Sequence, residues 1–244
     1  MGGGQVPLIK NPLIVALDVN TVDEAVALAS ALAPYTGAFK VGMQLFNSAG
    51  PEAVHRLIER KASVFVDLKL HDIPNTVAGA ARALTRHGAA IFNVHAAGGP
   101  VMMQEAANAA RDEAGKAGVK PPLVIAVTVL TSIDEDMFNQ KLGIPGTIEE
   151  RVVAWARLAK EAGMDGVVAS PKEITAIREA CGKDFLIITP GVRPLGAAAN
   201  DQKRTMTPGE AIRLGASYLV VGRPVTAAPD PVAAAKAILQ EIGA

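Results

Sequence analysis

The sequence predicts an α/β fold, a (β/α)8 barrel of the TIM type with eight parallel strands. Three observations lead to this prediction. Short apolar runs recur along the 244 residues, helical patterns lie between them, and no linker or shift in composition divides the chain. We therefore expect a single barrel domain over residues 1–244, with residues 1–11 as a flexible leader. A doubly wound open sheet is the alternative architecture.

The strands are predicted from runs that are apolar almost throughout, which is typical of parallel strands buried on both faces. In chain order the runs are LIVALDV (13–19), AFKVGMQLF (38–46), SVFVDLKL (63–70), AIFNVHAA (90–97), PLVIAVTVL (122–130), GVVAS (166–170), FLIITPG (185–191) and YLVVGRPV (218–225). A series of such strands, each joined to the next by a helix, is the repeat from which a barrel is built.

The helices are predicted from amphipathic segments and from their end signals. Thr21 and Glu24 have the spacing of a capping box, Ser48 is a predicted N-cap, and Gly88 is a predicted C-terminal stop. The predicted helices cover residues 21–33, 48–61, 75–88, 100–118, 147–163, 171–182, 207–216 and 230–243.

The composition excludes several classes of function. Lysine plus arginine and aspartate plus glutamate each number 24, so the formal net charge is +0. This balance argues against broad binding to nucleic acid or to anionic membranes. No apolar run approaches the roughly 20 residues of a membrane span. Cys181 is the only cysteine, which precludes an intrachain disulfide and fits a cytoplasmic location, and we expect its thiol to be an inert packing group.

Polar side chains interrupt the apolar runs where the strands end. In barrels of this class the chemistry takes place at the carboxyl ends of the strands. The polar residues at these ends are Asp18, Lys40, Asp67, Lys69, Asn93, His95, Thr128, Thr131, Ser170, Thr189 and Arg223.

The third strand ends in DLKLHD, which contains Asp67, Lys69 and Asp72. Side chains two positions apart on a strand point to the same face, so we expect Asp67 and Lys69 to meet at the barrel mouth. Structural ion pairs are the alternative, but desolvation makes single buried pairs poor stabilisers. Because Asp18 and Lys40 add two further charges at the same end, the set favours an active site.

The sequence does not indicate a metal site. The histidines, His55, His71, His87 and His95, do not have the spacing of metal ligands. The aspartates could hold Mg²⁺, but the interleaved lysines would compete with the ion. We expect His95, in FNVHAAGG, to be a hydrogen-bonded structural residue.

A phosphate site is predicted at the end of the eighth strand, where barrel enzymes often bind this group. Gly222 in VVGRPV allows close approach of the backbone, and Arg223 offers a planar guanidinium for phosphate oxygens. The loop VRPLGAAANDQKRTMT (192–207) resembles an active-site lid that closes onto the phosphate. It carries the polar side chains Arg193, Gln202, Lys203 and Arg204.

Together these residues resemble the orotidine 5′-phosphate decarboxylase family, in particular its monofunctional bacterial members. The likeness extends over nearly the whole chain, and its most specific part is DLKLHDIPNTV (67–77), which carries the D-x-K-x-x-D motif. The supporting segments are ALDV at Asp18, FKVG at Lys40, VTVLTS at Thr131 and Ser132, TPGVRP with Pro190 and Arg193, DQKR at Gln202, and VGRP at Gly222 and Arg223.

The resemblance implies a reaction and an assembly. Orotidine 5′-monophosphate would lose CO₂ to give uridine 5′-monophosphate, the last step of de novo pyrimidine (UMP) biosynthesis, without a metal or an organic cofactor. The protein would act as a homodimer with shared active sites, in which Asp72 and Thr76 reach into the site of the partner chain.

The resemblance also implies a role for each site residue. Lys69 is the proton donor to C6, held protonated by Asp67 and by the partner's Asp72, and Lys40 completes an alternating charge array. One carboxylate of the array lies near the substrate carboxylate. The implied substrate contacts are Asp18 and Lys40 for the ribose, Thr131 and Ser132 for the pyrimidine, Arg193, Gln202, Gly222 and Arg223 for the phosphate, and Asp67, Thr76 and Pro190 as further contacts.

Three alternative interpretations are open from the sequence. Sugar-phosphate decarboxylases and synthases share D-x-K-x-x-D but act through Mg²⁺ and an enediolate, and HDIPNTV and DQKR argue against them. A class I aldolase would use Lys69 as a Schiff-base nucleophile, which the flanking carboxylates disfavour because they keep the amine protonated. A non-catalytic nucleotide-binding barrel would keep the phosphate site and lose the charge array.

Overall fold

The computed structural model describes residue 9, residues 11–194 and residues 206–244. In this part of the chain, eight parallel strands close into a barrel in sequence order, and the last strand pairs with the first. The strands are β1 Leu13–Ala16, β2 Ala38–Gly42, β3 Val64–Leu70, β4 Ile91–His95, β5 Leu123–Val127, β6 Gly166–Val168, β7 Leu186–Pro190 and β8 Tyr218–Val221. The predicted (β/α)8 barrel is confirmed, and the open sheet is excluded because β1 and β8 are hydrogen-bonded neighbours.

Helices cover the outside of the barrel. They are α1 Val22–Leu32, α2 Met43–Ala49, α3 Glu52–Ile58, α4 Pro74–Arg86, α5 Gly99–Ala117, α6 Ile148–Glu161, α7 Ile174–Cys181, α8 Pro208–Leu214, α9 Arg223–Thr226 and α10 Pro231–Ile242. The predicted capping box of α1 is present, because Thr21 Oγ1 accepts from Glu24 N and Glu24 Oε2 accepts from Thr21 N. None of the described helices has both the length and the apolar character needed to cross a bilayer.

The second β–α unit differs from the prediction. Strand β2 ends at Gly42, earlier than expected, and α2 follows at once. Leu45 is buried whereas Gln44 is exposed, so this segment presents one helical face to the core. Ser48 lies inside α2, and its hydroxyl donates to the carbonyl of Gln44, so the prediction of Ser48 as an N-cap was wrong.

The side chains of the strands divide between two apolar clusters. Leu13 and Val15 pack outward against the helices, whereas Ile14, Phe65 and Ile91 fill the inside of the barrel. Further along the strands, the inward positions become charged or polar. Side chains on a strand point alternately inward and outward. The inward positions are apolar in the interior of the barrel and polar at its mouth.

The predicted leader lies mostly outside the described residues, namely residues 1–8 and 10. Ile9 is 2% exposed and joins the inner apolar cluster. Asn11 Oδ1 accepts a hydrogen bond from Leu13 N at 3.0 Å. Both residues thus contact the barrel directly before β1.

Candidate active site

Four side chains of alternating charge lie in a row where the first three strands end. Lys40 Nζ lies 3.1 Å from Asp18 Oδ1 and 3.4 Å from Asp67 Oδ2. Lys69 Nζ lies 2.7 Å from the other oxygen of Asp67, Oδ1. The central carboxylate therefore bridges two ammonium groups, and each lysine has an opposite charge beside it.

The position of Lys40 depends on its strand and on Gly42, which has no side chain. It lies on β2 and is 8% exposed. A Cβ at Gly42, two positions later, would be 2.7 Å from Lys40 Nζ and 3.1 Å from Asp18 Oδ1. The glycine therefore leaves the space in which this ion pair forms.

The third strand is irregular where its two charges lie. The pairing of β3 with β4 changes register between Val66 and Leu70, and Lys69 has a φ of +52°. A positive φ is uncommon for a residue other than glycine. Asp67 and Lys69 do meet, but through a bulged backbone and not through the regular alternation of a pleated strand.

The charge state of the row follows from its surroundings. Burial alone raises the pKa of Asp67, but Lys40, Lys69 and hydrogen bonds from Lys69 and Asn93 outweigh burial, so the pKa lies below its ordinary value. Asp67 is therefore a carboxylate at neutral pH. The pKa of His95 is lowered by burial, by His71 and by Lys69, and the two imidazole centroids are 5.4 Å apart. We conclude that His95 is an uncharged neighbour of the row.

A cavity of about 560 Å³ opens beside the row, within the size range of small-molecule sites. Its polar lining is Lys40, Asp67, Lys69, Thr131 and Ser132. Its apolar lining is Met43, Phe65, Val127, Val129, Leu130, Val168, Ala169, Pro190 and Val220. Because apolar walls lower the local dielectric constant, charges in this cavity interact more strongly than they would in water.

Two arginines follow the neighbouring strands β7 and β8. Burial and the charge of Arg223 both lower the pKa of Arg193, which places the two cations near each other. Arg193 Nη1 donates to the carbonyl of Val192, but its Nε is buried and has no hydrogen-bond partner among the described residues. Neighbouring cations with an unused N–H donor suit an anion.

Gly222 lies between β8 and the arginine that begins α9. A Cβ at this position would meet Ala16 Cβ at 3.6 Å and Asp18 Oδ2 at 3.7 Å, which are ordinary contacts. A Cβ at position 222 would therefore not clash with the rest of the protein. The predicted contact Gln202, on the proposed lid, lies outside the described residues.

Comparison with known proteins decides the family. The family model described as "Orotidine 5'-phosphate decarboxylase / HUMPS family" matches residues 11–238. The chain belongs to this family. The resemblance inferred from DLKLHDIPNTV is thereby confirmed, and with it the enzyme class.

Individual members of the orotidine 5′-phosphate decarboxylase family agree over nearly the whole chain. A relative of that name from Moorella thermoacetica is 60% identical over 233 residues, which cover 96% of this chain and 92% of the relative. Another from Geobacter sulfurreducens is 52% identical over 233 residues and covers 96% of both. The crystal structure of orotidine 5′-phosphate decarboxylase from Lactobacillus acidophilus matches with a TM-score of 0.85 and 39% identity, covering 96% of this chain and all 100% of that chain.

Two residues of the D-x-K-x-x-D segment lie apart from the row. Asp72 and Thr76 are exposed and do not line the cavity of their own chain. Asp72 Oδ1 accepts from Ile73 N at 2.6 Å, and its carboxylate forms no ion pair with a described lysine or arginine. Ile73 is 67% exposed beside it. One chain alone therefore does not bring Asp72 to Lys69.

The described residues hold no group of three or more His, Cys, Asp or Glu side chains placed to bind a metal ion. The carboxylates of Asp18 and Asp67, which were considered as Mg²⁺ ligands, face Lys40. The ammonium groups beside these carboxylates would thus compete with a divalent ion.

Sequence reasoning missed two residues of the site. Gly42 was predicted only as a strand position, which is correct, but not as the residue that leaves space for Lys40, two positions before it on the same face. Asn93 was noted only as a polar strand end, whereas it contacts both Asp67 and Lys69. The available signal was the inward position of Asn93, two residues after Ile91 of the inner cluster.

Proposed function

We propose that the protein catalyses the decarboxylation of orotidine 5′-monophosphate to uridine 5′-monophosphate and CO₂, the last step of de novo pyrimidine biosynthesis. The observation that carries this proposal is the Lys69 ammonium, which lies 2.7 Å from Asp67 at the wall of a largely apolar cavity. Membership of the family and the names of the relatives support the substrate.

The difficult step is the departure of CO₂ from C6. The bond between C6 and the carboxylate breaks, and its electron pair stays on a carbon that offers little delocalisation. A cation fixed beside C6 stabilises this pair without having to reorganise during the reaction. Lys69 then transfers a proton from Nζ to C6, and the neutral amine regains a proton from solvent. The step needs no oxidant or reductant.

Asp67 and Lys40 prepare Lys69 for this role. The carboxylate of Asp67 holds the Lys69 ammonium in place through Oδ1, while Lys40 lies beside the second oxygen of Asp67. Because Asp67 also lines the cavity, it lies where a substrate carboxylate would be repelled. The repulsion raises the free energy of the bound substrate and ends as CO₂ leaves. It therefore lowers the barrier from the bound substrate to the transition state.

The remaining groups are assigned to parts of the substrate. Thr131, Ser132 and Pro190 line the cavity and would contact the pyrimidine. Asp18, with a side chain 51% exposed, and Lys40 would bind ribose hydroxyls. Arg193, Gly222 and Arg223 would bind the phosphate, and Gln202 is a further proposed phosphate contact. Binding energy from that remote group can be used to assemble the reacting centre.

We propose that the reaction proceeds without a metal or an organic cofactor. The support is the row itself, in which the carboxylates are already neutralised by lysines. The same array serves the electrostatic task for which other decarboxylases use an electron sink.

We also propose a homodimer with shared active sites. The exposed Asp72 and Thr76, which do not line their own cavity, would complete the site of the partner chain. The exposed side chain of Ile73 between them provides apolar area for such a contact. A single barrel domain over residues 1–244 and a cytoplasmic location complete the proposal, and neither nucleic acid nor a membrane is a proposed partner.

The test is the fall in ultraviolet absorbance when purified protein meets orotidine 5′-monophosphate in the presence of EDTA. We expect a rapid fall with uridine 5′-monophosphate as the product. No change from folded protein would contradict the proposal. Turnover of pentulose or hexulose phosphates with Mg²⁺ would then identify a sugar-phosphate enzyme, and trapping by borohydride would identify a Schiff-base enzyme.

A further inference from the structure

Asn93 is a buried amide inside the barrel, directly beneath the charged row. It lies on β4, two residues after Ile91 of the inner apolar cluster, and is 1% exposed. A primary amide carries two N–H donors and an acceptor oxygen. Because an unpaired polar group is costly in such a place, the partners of this amide indicate why it is there.

Both ends of the amide are bound to β3. Asn93 Nδ2 donates to Asp67 Oδ1 at 2.8 Å, and Asn93 Oδ1 accepts from Lys69 N at 2.9 Å. A backbone N–H can only donate and a carboxylate can only accept. The orientation of the amide is therefore fixed by its two partners.

The contact with Lys69 supports an unusual backbone. The strand pairing shifts register at this point, and Lys69 has a φ of +52°. In a regular ladder a neighbouring strand's carbonyl would accept from this N–H, whereas here the side chain of Asn93 accepts from it. Asn93 thus stabilises the conformation from which the Lys69 side chain projects towards the cavity.

The contact with Asp67 fixes the rotation of the carboxylate. Oδ1 receives both Lys69 Nζ, at 2.7 Å, and Asn93 Nδ2. This leaves Oδ2 as the oxygen that faces Lys40, at 3.4 Å. The amide therefore supports the rotation of the carboxylate in which Oδ1 contacts Lys69 and Oδ2 faces Lys40.

We propose that Asn93 is a positioning residue of the decarboxylase site, which holds Asp67 and the backbone of Lys69 in one geometry. The proposal rests on the proposed function. Asn93 does not line the cavity, so its effect on the reaction is transmitted through Asp67 and Lys69. A displacement of about 1 Å at such groups can lower the rate about 100-fold.

The first test compares Asn93→Ala with a matched control. Thr85→Val is the control because Thr85 lies on α4 away from the cavity and is 6% exposed, and its hydroxyl donates to the backbone carbonyl of Ala81. We expect Asn93→Ala to lower kcat about 100-fold and to change KM less than about threefold. Thr85→Val should keep kcat within about twofold, although it also loses a buried side-chain hydrogen bond.

The second test uses Asn93→Asp, which keeps the shape and the acceptor for Lys69 N. It places a second carboxyl oxygen about 2.8 Å from Asp67 Oδ1. Two carboxylates this close do not both ionise, so they would share one proton. With that proton N93D can donate to Asp67 as the amide does, and without it the two charges repel. The active form of N93D is the one that carries the shared proton. At pH values above the apparent pKa of the carboxyl pair, kcat should therefore rise about tenfold for each unit by which the pH falls.

The charged and titratable groups around position 93 are the same in wild type and in the threonine-to-valine control variant. They are Asp67 and Lys69 on β3, Lys40 on β2, His95 on β4 and His71 beyond β3. A rise in kcat with falling pH that occurs only in N93D therefore arises from position 93. A residue that merely supports the fold would not produce such a profile.

The outcomes separate this inference from the proposed function. If wild type fails to decarboxylate, the proposed function fails and the role of Asn93 with it. If wild type is active while Asn93→Ala matches Thr85→Val, or if N93D follows the wild-type pH profile, the role of Asn93 alone is overturned. Binding of uridine 5′-monophosphate to Asn93→Ala reports folding, and should weaken less than about threefold. If Asn93→Ala does not fold, the pH profile of N93D decides.

Discussion

The ammonium of Lys69 lies 2.7 Å from a carboxylate oxygen of Asp67, although the two residues are separated by only one position on a strand. A regular strand would hold these side chains parallel to each other. The bulge at Lys69, with its φ of +52°, brings them into contact. The backbone of β3 is thus shaped to make one tight ion pair at the wall of the cavity.

Removal of the ammonium tests this pair directly. We expect Lys69→Ala to lower kcat at least about 10⁴-fold, because it removes both the proton donor and the nearest positive charge. Binding of orotidine 5′-monophosphate, measured by calorimetry, should persist in part. Lys116→Ala, an exposed lysine near the end of α5, is the control. Turnover close to wild type in Lys69→Ala would rule out the assigned role.

Mixing two inactive variants tests the shared site. Asp72→Ala and Lys69→Ala should each be inactive alone, and their mixture should regain activity because a heterodimer contains one intact site. About a quarter of the wild-type activity is expected for an equal mixture, since half of the dimers are mixed and each has one of its two sites intact. Subunit exchange is verified by mass spectrometry. Exchange without recovery would show that Asp72 does not act across an interface.

Gly42→Ala tests the space around Lys40. The added methyl would lie 2.7 Å from Lys40 Nζ, so the ammonium has to move away from Asp18 and Asp67. We expect kcat to fall about 10- to 100-fold while the protein remains folded, because only the end of a flexible side chain is displaced. Gly115→Ala in α5 is the control, since its added Cβ would meet no atom within 4 Å apart from the adjoining backbone of its own helix. An unchanged kcat in Gly42→Ala would mean that the position of Lys40 is not critical.

The pKa of Asp67 predicts how stability depends on pH. This pKa lies below its ordinary value of 3.8 in the folded protein. The stabilisation linked to it is therefore fully present above pH 3.8 and is lost as the pH falls from there through the folded-state pKa. We expect the difference in unfolding free energy between wild type and Asp67→Asn, measured with urea, to shrink below pH 3.8. A difference that stays constant in this range would contradict the assignment.

The barrel could be predicted from the sequence because the pattern of each strand and helix is local in the chain. Each apolar run identifies one buried strand by itself, and the repetition of strands and helices leaves few other topologies. The end of one strand was predicted wrongly. The second strand was predicted to continue into what is α2, because Leu45 and its neighbours are apolar enough to resemble a strand until the helical face is known.

The sequence by itself determined the fold class, the family and the types of charge at the strand ends, since these depend on periodicity and on the motif in DLKLHDIPNTV. Only the tertiary structure decided how the charges meet. At the bulge, Lys69 N donates to Asn93, 24 positions away, and Lys40 Nζ donates to Asp18, 22 positions away. Local patterns do not encode such contacts, because strand register and backbone torsion are fixed when distant segments pack together.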